Sequence, residues 1–211
     1  MTVIRPSGVV YAVTGERGSG KSTVCGRTAL LARREGLKVA GMITERDGSL
    51  EGGARQVVDV RSGERRLFGS RPAALRPESG VARPEGVICT DVPENNAGGF
   101  DAHIPAIDPL TPGWVFDPGV FAWGNGVLLR SVPCDLLVID ELGPLELLAG
   151  RGWMEALPIL RSRDFAAALV VCRPGLLKEL GRSLGASPVK VFEVSAQTRD
   201  ALPAAIIARV Q

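Results

Sequence analysis

The chain has 211 residues, 45% of them apolar and 23% charged, and a formal net charge of +2; it is long enough for one sizeable core, and its charge balance demands neither nucleic acid nor an acidic membrane as a partner. Cys25, Cys89, Cys134 and Cys172 form no CxxC pair, which argues against a zinc site or redox motif and fits reduced thiols in a cytoplasm. The N-terminus lacks a leader pattern, and no run approaches the roughly 18 apolar residues needed to cross a bilayer, so a cytoplasmic address is expected.

In chain order, the first element is an apolar strand, VVYAVT (9–14), followed by the glycine-rich stretch GERGSGKST (15–23). A helix over 22–35 follows, with Val24, Thr28 and Leu31 on one face and Gly36 as its stop. KVAGMIT (38–44) is the second strand, and EGGARQVVDVRSGERRLFG has the alternation of a hairpin. From Gly69 to Pro118 the chain carries eight prolines and no helical period, so residues 70–118 are expected to form an insert, either a β-rich elaboration or a lid or binding loop. ARPEGVICTD carries a further strand signal inside it. His103, with Asp101 and Asp108 nearby, lacks a defined ligand frame and is treated as a loop residue. Trp114, Phe116, Phe121 and Trp123 close the insert as an aromatic cluster read as core packing.

Beyond the insert come the strands CDLLVID (134–140), AAALVVC (166–172) and VKVFEVS (189–195), with helices expected over about 152–162, 175–183 and 199–210. The uninterrupted apolarity of LLVI and ALVV suggests strands buried on both faces. Alternation of this kind at both ends predicts one α/β domain over 1–211, three layers deep, around a mostly parallel sheet of about five or more strands.

GERGSGKST fits GxxxxGK[ST], with Gly15, Gly20, Lys21 and Ser22 in the required places and the strand–loop–helix context that supports the motif. This predicts a P-loop NTPase fold in which the backbone of Gly15, Glu16, Arg17, Gly18, Ser19 and Gly20 cradles phosphate at a helix N-terminus. Lys21 should reach the β- and γ-phosphates, Ser22 should ligate Mg²⁺, and Thr23 should sit near the α-phosphate. In LLVIDELGPLEL (136–147) a strand ends in two adjacent carboxylates. Asp140 suits metal holding, and Glu141 suits orienting a water for attack on the γ-phosphate. Glu146 is either a metal-tuning or nucleotide-edge group or a helix-surface carboxylate. Arg17 and Arg46 are candidates for charge at the γ-phosphate, and Arg199 for stacking on the base. The β-strand ending CRPG lacks an NKxD-type guanine reader, so strict GTP specificity is not supported.

On GERGSGKST, VAGMITERDG and CDLLVIDELGPLEL, the chain resembles the THEP1-type nucleoside-triphosphatases, P-loop proteins related in fold to small nucleotide kinases. The family's Gly-aromatic-x-Thr-Glu element is matched by Gly41, Met42, Ile43, Thr44 and Glu45, and its DE-x-G-x-x-E element by Asp140, Glu141, Gly143 and Glu146. FDPGVFAWGNGVLL is similar to the family's helix before the acidic strand, and Thr198, Arg199 and Asp200 stand where the family tends to have Asn-Arg-Asp. The resemblance implies Mg²⁺-dependent hydrolysis of ATP, GTP and other nucleoside triphosphates with loose base preference. Two alternatives remain: a kinase whose 70–118 insert closes over a small acceptor, and a nucleotide-dependent switch whose insert docks on a protein partner.

Overall fold

The computed structural model describes residues 8–46, 54–70, 110–111, 113–185 and 188–210. Most of the 70–118 insert lies outside them, including ARPEGVICTD, Cys89 and the His103 group. The elements are β1 (Val9–Thr14), α1 (Lys21–Arg34), β2 (Val39–Arg46), β3 (Arg55–Asp59), β4 (Arg65–Ser70), β5 (Val115–Phe116), α2 (Pro118–Leu129), β6 (Cys134–Leu142), α3 (Pro144–Leu147), α4 (Ala156–Ser162), β7 (Phe165–Cys172), α5 (Leu177–Leu184), β8 (Val189–Glu193) and α6 (Leu202–Val210).

All eight strands join one sheet in the order β5-β4-β3-β2-β6-β7-β1-β8. The five strands expected from the apolar runs, β2, β6, β7, β1 and β8, run parallel to one another. The hairpin β3–β4 and the two-residue β5 extend that sheet antiparallel beyond β2. Residues on either side of the insert thus return to the same sheet edge.

Successive strand residues point to opposite faces, and the two cores divide accordingly. Val10, Ala12, Leu137, Ile139, Ala168 and Val170 pack with α2, α4 and α5 on one side. Their chain neighbours Tyr11, Val13, Leu136, Val138, Leu169 and Val171 pack with α1 and α6 on the other. This is the three-layer arrangement that LLVI and ALVV predict. Each buried Val, Leu or Ile side chain among these contributes roughly 1.5–3 kcal/mol from transfer out of water. Of the aromatic cluster, Phe121 and Trp123 pack against one core as expected, with Phe121 4.9 Å from Trp153 ring centre to ring centre, while Trp114 and Phe116 are half-buried and stack on each other at 6.2 Å.

One glycine decides how closely β2 and β6 approach. Gly41 has φ +106°, pairs with Val138, and would place any Cβ 1.9 Å from the Val138 carbonyl oxygen. Its own carbonyl accepts from the Val60 N–H at 2.9 Å, bending the chain where β3 leaves. Gly41→Ala is therefore expected to lower unfolding free energy by roughly 2–4 kcal/mol, measured by urea titration; a loss under about 0.5 kcal/mol would show that the strands separate freely.

Candidate active site

β1 ends at Thr14 and the chain turns through Gly15 to Gly20 before α1 begins at Lys21. Gly15 has φ +140° and a Cβ there would sit 2.4 Å from the Val194 carbonyl, so the loop is pressed against the segment leaving β8. The Lys21 ammonium donates to the carbonyls of Gly15 and Glu16, each at 2.8 Å, folding its side chain back over the loop. A helix start leaves its first N–H groups without intrahelical acceptors and carries positive potential. Two hydroxyls in this region, Thr14 Oγ1 and Ser19 Oγ, are buried with no hydrogen-bond partner among the described residues. Unmatched polar atoms beside a helix N-terminus suit a site built for anionic oxygens.

The acidic pair arrives from β6. Asp140 is 4% exposed; its Oδ1 accepts from the Ser22 hydroxyl at 3.2 Å and its Oδ2 from the Thr44 N–H at 3.0 Å. The Thr44 hydroxyl also donates to the Asp140 carbonyl at 3.4 Å. Burial pushes the Asp140 carboxyl up to about 6, against the Ser22 and Thr44 hydrogen bonds, which favour the ionised form. Lys21 is lowered by burial, while Glu141 and then Asp140 pull it back, so both carboxylates lie within electrostatic reach of the ammonium. No packed wall separates Asp140 from the loop.

Glu141 is exposed and takes φ +77°, at a bulge where the pairing of β6 with β7 shifts between Ile139 and Leu142. Its Oε1 accepts from Arg173 Nη2 at 3.0 Å. Arg173 follows the last residue of β7, the strand lying between β6 and β1. Its appearance beside the acidic pair was not anticipated; the position directly after the apolar run AAALVVC was the available signal. Arg55 on β3 was also missed. It is half-buried, pairs across strands with Arg46, and stands over Trp114 at 5.7 Å from the ring centre. Burial and then Arg46 lower it, while Glu141 and Asp140 oppose, so its charge belongs to the same electrostatic field.

The remaining candidates separate clearly. Arg17 is exposed within the loop, Thr23 is exposed on the first turn of α1, and Arg46 is exposed at the end of β2. Arg199 lies over the helix start, its Cδ 3.5 Å from where a Gly20 Cβ would stand. Thr198 supports that placement, accepting from the Ser195 N–H at 2.9 Å and donating to the Glu193 carbonyl at 3.0 Å. Glu45 pairs with Arg65 at 3.4 Å. Glu146 is neither a helix-surface group nor directed to the pocket: it is buried, accepting from the Gly143 and Trp153 N–H groups at 2.9 and 3.0 Å. It ties the turn after β6 to the segment before α4.

The oxygen set of Ser22 and Asp140 fits a hard divalent cation of the magnesium type, which keeps waters and substrate phosphates and needs only one or two carboxylates. Among the described residues no group of three or more His, Cys, Asp and Glu side chains could hold a metal. None of the described helices is long and apolar enough to cross a membrane.

Comparison with known proteins bears on the family resemblance and the fold. A family model described as "NTPase" matches residues 10–96. The nucleoside-triphosphatase THEP1 of Thermofilum pendens is 29% identical over 194 residues, covering 92% of this chain and 90% of that protein. That of Methanothermobacter thermautotrophicus is 28% identical over 191 residues, covering 89% and 88%. In fold, THEP1 from Aquifex aeolicus superimposes with a TM-score of 0.62 at 15% identity, over 96% of this chain and 99% of its own. A human cancer-related nucleoside triphosphatase gives 0.58 at 22%, over 96% and 97%. The resemblance carried by the three motifs, and the P-loop α/β fold it implied, are borne out.

The raised Asp140 gives a signed expectation. The unfolded chain releases this proton near 3.8, while the folded protein holds it up to about 6. Between those values the folded state binds more protons, so its stability is fully present below the lower value and declines as pH rises, by on the order of 2–3 kcal/mol. Asp140→Asn is expected to flatten that decline in urea titrations of the nucleotide-free protein. An unchanged slope would assign the proton to another group.

Proposed function

We infer that this chain, similar over 92% of its length to a THEP1 nucleoside-triphosphatase, hydrolyses nucleoside triphosphates to diphosphate and phosphate. The observation that carries the reading is the meeting of Asp140 with Ser22 at 3.2 Å: the acidic strand end and the glycine-rich loop share one site.

In this reading the backbone N–H groups of Gly15 to Gly20 and the start of α1 hold the phosphate chain, and Thr23 lies toward the α-phosphate. Lys21 exchanges its two carbonyl acceptors for β- and γ-phosphate oxygens, a trade favoured by charge. Ser22 and Asp140 would hold Mg²⁺, which when bound neutralises phosphate charge and makes the diphosphate a better leaving group. Glu141 accepts a hydrogen bond from a water and aims it in line with the bond to be broken; it takes up the proton that the water releases. Arg17, Arg46 and Arg55 add positive charge around the γ-phosphate as it departs.

Arg199, lying over the helix start, supplies a planar cation for the base. Stacking of that kind reads a ring rather than its edges, which supports broad base preference. The free, buried thiols of Cys25, Cys134 and Cys172 accord with a reducing, cytoplasmic compartment.

The test is phosphate release from ribo- and deoxyribonucleoside triphosphates with magnesium, with and without monophosphate acceptors. Glu141→Gln is expected to retain nucleotide binding and lose roughly 10²–10⁴-fold in kcat, while Lys21→Ala weakens both binding and turnover. Parent-level hydrolysis by Glu141→Gln would remove the base assignment. Phosphate appearing on an added acceptor instead of in solution would make the protein a kinase.

A further inference from the structure

We propose that Arg173 is a positioning residue that aims the Glu141 carboxylate at the attacking water; the inference rests on Glu141 having the water-orienting role given above.

The strand order sets the geometry. β7 lies between β6, which delivers Asp140 and Glu141, and β1, which delivers the loop. All three run parallel, so the tip of β7 emerges between the two halves of the site. The pairing of Leu142 with Cys172 places the next residue, Arg173, beside the bulge that Glu141 forms.

At that point Arg173 Nη2 donates to Glu141 Oε1 at 3.0 Å. Among the described residues, the Glu141 carboxylate makes no other hydrogen bond and the Arg173 guanidinium no other ion pair. This differs from Asp140, which Ser22 and Thr44 both hold. A glutamate side chain with three rotatable bonds at an exposed bulge has many directions open to it, and one charge-assisted hydrogen bond selects among them. The second carboxylate oxygen stays free to accept from water. The Lys21 ammonium feels both Glu141 and Arg173, so the pair stands within reach of the phosphate site.

The same contact read as an ordinary surface ion pair makes a different prediction. The side chains of Arg173 and Glu141 are 60% and 51% exposed, and a pair so exposed adds little to folding. Arg173→Ala should therefore melt like the parent under either reading, which leaves the kinetics to decide.

The experiment measures phosphate release from ATP with magnesium for the parent, Arg173→Ala, Arg173→Lys, Glu141→Gln and the double variant Arg173→Ala/Glu141→Gln. Arg173→Ala is expected to lose roughly 100-fold in kcat, as mispositioning of a reacting group does, with KM held within about threefold. Arg173→Lys restores part of the loss, because it keeps the charge without the planar fork. In the Glu141→Gln background, removing Arg173 should bring no further loss, since its effect passes through the carboxylate. Equal fractional losses in both backgrounds, or a raised KM at parental kcat, would overturn the proposal. Parent-level turnover in Glu141→Gln alone would remove the base assignment, and this proposal with it; a slow Glu141→Gln with additive loss refutes the positioning role only.

Discussion

A buried carboxylate with two donors from two different elements is the constraint around which this molecule is arranged. Asp140 lies almost entirely out of water, and an ionised carboxylate in such a place is costly unless its oxygens are matched. Ser22 from the head of α1 and Thr44 from β2 match them. Their convergence requires β2 and β6 to be neighbours, and Gly41 permits the close contact between those strands. It also requires α1 to cover the sheet face on which Val138 and Leu136 lie.

Much of this was legible because it is local. A strand, three glycines, a lysine and three hydroxyls in nine residues specify a turn and a helix start, and the uninterrupted apolarity of LLVI specifies a strand covered on both faces. Thr44 and Glu45 belong to one shared motif, yet their surroundings divide them: Thr44 holds Asp140 while Glu45 pairs with Arg65 at the surface. Glu146 likewise sits in a nucleotide-site motif and serves the turn. Motif spacing records that a residue type is required and leaves open which neighbour requires it.

What could not be read is nonlocal. The placing of β7 between β6 and β1 is a property of the sheet order, and it brings Arg173 to Glu141 across 32 positions of chain. Arg55 reaches the same field because β3 folds back on β2, while the sequence around it, EGGARQVVDV, reads simply as a hairpin strand. The junction with the insert has the same character: its two ends, β4 and β5, meet through Gly69 and Phe116 and through Ser70 and Val115, a pairing too short to leave a periodic signature.

The left-handed backbone at Glu141 sets two selective pressures against each other. A side chain bearing a Cβ is strained there by about 1 kcal/mol, and glycine would relax it. Any campaign that ranks substitutions by melting temperature alone would therefore drift toward removing the carboxylate to which the proposed mechanism gives the water-orienting role. In the proposed mechanism the glutamate marks a place where durability is given up for turnover, and thermostable descendants of this chain would have to find their gains elsewhere.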